Sequence, residues 1–204
     1  MSATKIMVIR HAEKPDGKPG DPVGVQVSGA EDPDSLIVQG WQRAGALASF
    51  FSPANANLTG LGIAVPDVIF ASDDHKHPAP SGAEQGSHSR RPIETVTPLA
   101  AKLGLGIDQS CWLGNEPALF TAATNSSGVV LICWQHEAIP TIANLFVPPP
   151  TPIPQGWPVP QTWPGSRYDV VWVFDPPAGG QGPWVFSQAL QQLLAGDGDT
   201  PIQP

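Results

Sequence analysis

An unbroken apolar run, Ile6-Met7-Val8-Ile9, ends on a charged pair, Arg10-His11. The run is too short for a helix and has no helical periodicity, so it reads as a buried strand. Its end sets an arginine and a histidine at the lip of a sheet, where open α/β folds place their chemistry. A strand-terminal histidine can also do no more than hydrogen-bond locally. Two distant segments weigh against that. Arg91 lies in Ser89-Arg90-Arg91-Pro92-Ile93-Glu94-Thr95, and His136 follows a second apolar run, Val129-Val130-Leu131-Ile132-Cys133-Trp134. Two histidines and two arginines, two of the four directly after buried strands, suggest a pocket for a doubly charged oxyanion.

Strand and helix signals alternate along the chain, predicting a single α/β domain over 1–204: a three-layer α/β/α sandwich around a mostly parallel sheet. After the first strand comes a Gly/Pro/Asp-rich loop from Lys14 to about Asp34. Trp41, Ala44, Ala48 and Phe51 then share one helical face. Val68 to Ala71 reads as a strand, and Asp73 to His88 as a long polar loop. A helix is expected from Arg91, with Ser89 as its cap and Pro92 in its first turn; Pro98 should kink or end it. Val129–Trp134 is the third strand, followed by a helix over Glu137–Phe146. Residues 148–164 carry eight prolines in seventeen positions and form a stiff excursion, in which Trp157 and Trp163 serve as clamps onto the domain. Tyr168–Phe174 is a fourth strand. Phe186, Leu190, Leu193 and Leu194 suggest a last amphipathic helix ending at Gly196.

Composition removes several function classes. A net charge of −8 argues against nucleic acid or an acidic membrane surface as partner, since both need a basic face. No apolar stretch approaches the ~20 residues of a membrane span, and the N-terminus shows no signal-peptide pattern. Two cysteines, Cys111 and Cys133, make no disulfide framework, and a cytoplasmic location is the expectation. The oligomeric state is not legible. With only ten Lys and Arg in the chain, two beside the site histidines is a notable concentration.

Several motifs fail. His11-Ala12-Glu13 has the His-x-Glu half of a zinc deaminase site but lacks its Pro-Cys-x-x-Cys partner. His136-Glu137 starts like a zincin helix, yet position 140 is Pro140. His75, His77 and His88, with Asp73 and Asp74, match no recognised metal spacing, and a solvated loop is the better reading. No metal and no cofactor are expected.

The surviving pattern resembles the histidine phosphatase superfamily, which includes cofactor-dependent phosphoglycerate mutases and many acid phosphatases. Val8-Ile9-Arg10-His11-Ala12-Glu13 looks like its Arg-His-Gly block, with Ala for the usual Gly. Leu36-Ile37-Val38-Gln39-Gly40-Trp41-Gln42-Arg43-Ala44 echoes the Leu-Thr-x-x-Gly-x-x-Gln/Arg-Ala block. Phe70-Ala71-Ser72 and Arg91-Pro92-Ile93-Glu94-Thr95 resemble the third block, in which Arg91, not Arg90, has the family spacing. Leu131-Ile132-Cys133-Trp134-Gln135-His136 resembles the last. The four blocks stand in order.

This resemblance implies a phosphoglycerate mutase-like fold and a metal-independent phosphatase acting on a small phosphorylated substrate. His11 would become phosphorylated while Arg10, Arg91 and His136 hold the phosphoryl group. The general acid is open among Glu137, Glu116 and Glu13, with Glu137, next to His136, preferred; Glu137 could equally serve its helix N-terminus. Mutases carry a Ser and an Asn shortly after the Arg-His-Gly, where this chain has Glu13-Lys14-Pro15-Asp16-Gly17. Phosphatase is therefore favoured over a mutase-like phosphotransferase, and a non-catalytic phospho-ligand binding module is the third class.

Overall fold

The computed structural model describes residues 2–54, 58–79, 82–149, 158–180 and 182–204. The chain runs β1 (Ala3–Arg10), α1 (Val38–Phe51), β2 (Val68–Ala71), β3 (Lys76–Pro78), β4 (Glu84–Gly86), α2 (Arg91–Leu103), β5 (Ile107–Asp108), α3 (Glu116–Asn125), β6 (Gly128–Trp134), α4 (Ile139–Phe146), β7 (Val170–Asp175) and β8 (Val185–Leu190). Six strands form one sheet in the order β5-β2-β6-β1-β7-β8. The first four positions are parallel, and β7 and β8 complete the sheet antiparallel.

Successive side chains of β1 enter different cores. Ile6 and Val8 pack with Leu119 of α3, Ile142 and Phe146 of α4, and Trp172. Met7 and Ile9 pack with Leu47 and Phe51 of α1 and Val96 and Leu99 of α2. Helices thus cover both faces, which is why β6 and the Ile6–Ile9 stretch of β1 are continuously apolar. No helix among the described residues is long and apolar enough to cross a membrane.

The path of the chain makes a crevice. From β1 it leads by α1 to β2, on the far side of β6; from β6 it leads by α4 to β7, on the far side of β1. The carboxyl ends of these two adjacent strands therefore diverge, the position at which open α/β sheets bind ligands. Register pairs Arg10 with Trp134, and the His11 amide donates to the Trp134 carbonyl at 3.0 Å.

Five expectations are corrected. The segment Asp73–His88 is not all loop: β3 and β4 pair as a small antiparallel hairpin, and His77 stacks on Trp112 with ring centroids 3.9 Å apart. Of the two outcomes expected at Pro98, a kink or an end, the end does not occur: α2 runs through it to Leu103. Pro98 forfeits the one bond to the Glu94 carbonyl, while Val96, Leu99 and Ala100 hold the next turn against the sheet. Ser89 is not a cap: Arg90 occupies that position, with no side-chain cap bond. The last amphipathic helix is β8 instead. Phe186 and Leu190, four apart, share a face in a strand as well as in a helix, and both pack into the same core while Ala189 enters the other. The helix after β6 begins at Ile139 rather than Glu137. Trp163 does clamp, with its indole N–H on the Arg167 carbonyl at 2.8 Å and its ring against Trp172; Trp157 lies outside the described residues.

Candidate active site

His11 is the first residue beyond β1 and is buried. Its Nδ1 lies 2.8 Å from the carbonyl oxygen of Ala12. A carbonyl only accepts, so Nδ1 carries the proton and Nε2 keeps its lone pair. Burial pushes the His11 pKa well below the usual histidine value, and Arg10, Arg91 and His136 add to the effect. The imidazole is therefore neutral at physiological pH. The amide of Ala12 donates to Thr95 Oγ1 at 2.8 Å, and Thr95 donates in turn to the Arg91 carbonyl at 2.7 Å. The Thr four residues after Arg91 thus ties the start of α2 to the turn that carries His11.

Arg10 is buried, and one arm of its guanidinium is fully committed. Nη1 donates to the carbonyls of Gly165 at 2.6 Å and Arg167 at 3.1 Å, and more weakly to Pro164 at 3.5 Å. The Tyr168 ring lies under the guanidinium, 3.7 Å from ring centroid to Cζ. Nε and Nη2 are buried and donate to no described residue. A buried cationic donor edge of this kind costs free energy unless an acceptor takes it, and an anion is the acceptor that suits it best.

Arg91 opens α2. Its guanidinium donates to the Ser35 carbonyl at 3.3 Å, Ser89 Oγ at 3.2 Å and the Pro33 carbonyl at 2.5 Å, with Asp34 3.9 Å away. Ser89 orients this arginine instead of capping the helix. Arg90 points elsewhere: its side chain is 48% exposed and lies 3.8 Å from Asp32 and 3.6 Å from Asp74. His136 follows β6 by two residues, and burial beside Arg10 lowers its pKa. A Cβ built on Gly165 would sit 3.9 Å from His136 Nε2, which puts this imidazole beside the segment that holds Arg10.

The three carboxylates differ. Glu13 is buried and consumed by Arg43, which donates to it through Nε at 3.0 Å and Nη2 at 2.7 Å and also binds Asp197 and Gln191. Glu116 is buried under the Trp134 indole at 3.1 Å and the Gly114 amide at 2.9 Å. Glu137 is 58% exposed, with Oε2 2.8 Å from His136 Nδ1 but out of line for a hydrogen bond. Of the three, only Glu137 is exposed, with its carboxylate beside His136.

Sequence reasoning missed Tyr168 and the Gly165–Arg167 carbonyls, because backbone acceptors have no residue signature. Arg43, quoted only as part of the second block, was given no role from the sequence. Ser72, noted as a block residue, accepts from Gln135 Nε2 at 2.8 Å and joins the ends of β2 and β6. Asp73, Asp74 and His75 bring their ligand atoms within 4.8 Å of one another. His75 and His77 both donate to Asp73, and Arg90 neutralises Asp74.

No protein-family model and no curated protein matches the sequence. Among solved structures, the chain is similar to the protein histidine phosphatase SixA complexed with tungstate. The TM-score is 0.47 and the identity 12%, over 92% of this chain and 97% of that one.

Proposed function

We propose that the chain is a metal-independent phosphatase that hydrolyses a phosphomonoester through a phosphohistidine on His11. One observation carries this reading: a neutral, buried imidazole with its Nε2 lone pair free shares a crevice with an arginine whose buried Nε and Nη2 have no partner. Phosphoryl transfer needs an in-line nucleophile and positive charge on the three equatorial oxygens, and little else. His11 Nε2 attacks phosphorus, the bond to the leaving-group oxygen breaks, and that oxygen takes a proton from the Glu137 carboxyl. Arg10, Arg91 and His136 hold the equatorial oxygens. Water then attacks the phosphohistidine, giving its proton to Glu137, and inorganic phosphate leaves.

Turnover of a panel of phosphomonoesters with chelator present, wild type against His11→Ala, tests the proposal. Acid-labile, base-stable phosphate should be trapped on His11, and His11→Ala should be inactive. Near wild-type turnover by His11→Ala removes the assignment. Activity lost to chelator and restored by zinc or magnesium replaces it with a metal mechanism at the Asp73–His75 cluster. Oxyanion binding without turnover of any ester leaves a phospho-ligand binding module.

A further inference from the structure

We infer that Tyr168 is a positioning residue for the proposed reaction: its ring and the carbonyls of Pro164, Gly165 and Arg167 form a clamp that turns the free edge of Arg10 toward the oxyanion. The inference rests on the phosphatase reading and adds a residue to it. A guanidinium has two edges and two faces. In Arg10 the Nη1 arm is held by three carbonyls from one short segment, and one face is covered by the aromatic ring at 3.7 Å. These contacts fix both the rotation of the plane and its tilt, and the edge left over is the unpartnered Nε and Nη2. The same ring is 6.3 Å from the His11 ring, and Arg91 acts electrostatically on the phenol. Tyr168 therefore touches Arg10 and lies beside the His11 ring.

Trp163 braces the segment from below. Its indole donates to the Arg167 carbonyl that also receives Arg10. No hydroxyl is needed for any of this. The ring quadrupole attracts the cation, and a phenyl ring does so nearly as well as a phenol.

The test measures tungstate affinity by calorimetry alongside kcat and KM for one phosphomonoester. Tyr168→Leu should weaken tungstate by roughly three- to thirtyfold, the range a cation–π contact supports, and Tyr168→Phe should restore it. In an Arg10→Ala background, Tyr168→Leu should have no further effect on tungstate, since a device that acts through Arg10 cannot act without it. Equal affinity of Tyr168→Leu and wild type, with only melting temperature lowered, reduces Tyr168 to packing and overturns the clamp. A full loss in Tyr168→Phe overturns it too, in favour of the hydroxyl. If wild type binds no tungstate, the phosphoryl site fails and the clamp fails with it. If wild type binds tungstate and hydrolyses nothing, the phosphatase reading fails while the affinity series still decides the clamp.

Discussion

His11 owes its neutrality to burial, and burial is measurable. Its ring should keep the NMR signature of the neutral, Nδ1-protonated tautomer as pH falls through 6.5, where an exposed histidine charges. The unfolded chain takes up that proton and the folded one does not, so stability should decline from about pH 6.5 downward toward the lowered pKa. His11→Gln should flatten that decline, and a His11 ring that titrates at 6.5 contradicts the burial. Arg91 and Arg90 are adjacent in sequence but part company in space. Arg91→Ala should weaken inorganic phosphate inhibition by about 1.5–3 kcal/mol, the worth of hydrogen bonds from a charged group. Arg90→Ala should do little, because its partners are Asp32 and Asp74; the reverse order moves the phosphoryl contact from Arg91 to Arg90. General acid catalysis contributes ~10²–10⁴-fold, most when the leaving group is poor. Glu137→Gln should therefore cripple hydrolysis of alkyl phosphates and spare p-nitrophenyl phosphate. Equal losses on both make Glu137 structural.

Gly40 shows how an element is held in place by the lack of an atom. A Cβ there would meet the Glu13 carbonyl oxygen at 2.5 Å, the same oxygen that accepts the Ile37 amide at the start of α1. Gly40→Ala must push α1 from the turn after His11, and overpacking of this kind costs about 1–3 kcal/mol. A melting temperature lowered by several degrees is expected; an unchanged one means α1 shifts freely. The resemblance had marked this glycine, and the close approach now gives the physical reason. Elements with one clear period were legible: β1, β6 and β7 as apolar runs, α1 from its stripe. β8 was not, because a spacing of four residues fits a strand and a helix alike, and its pairing with β7 is a tertiary fact. α3 escaped notice since Glu116-Pro117-Ala118 gives a weak apolar rhythm, and the β3–β4 hairpin since its residues are polar. In the site, side chains with charge were legible from the sequence. The carbonyls that aim Arg10 were not.

At the scale of the molecule, the crevice joins distant parts of the chain. An oxyanion that engages Arg10, His11, Arg91 and His136 together should raise the melting temperature, by the equivalent of about 2.7 kcal/mol at a hundredfold excess over its dissociation constant. Scanning calorimetry with and without tungstate measures this, and no shift argues against a shared site. Charge here is local, four cationic or titratable groups in a protein of net charge −8, so an anion bound at the proposed site would be held against the net charge of the fold. Arg10 and Gly165, meanwhile, meet across 155 residues. During synthesis β1 precedes β6 and β7, its two neighbours in the sheet, by more than a hundred residues. Until β7 has emerged, β1 lacks its neighbour on that side, and long-range pairing of this sort folds slowly. The surroundings of Arg10 are therefore complete only once the segment from Gly165 to Arg167 has docked on it.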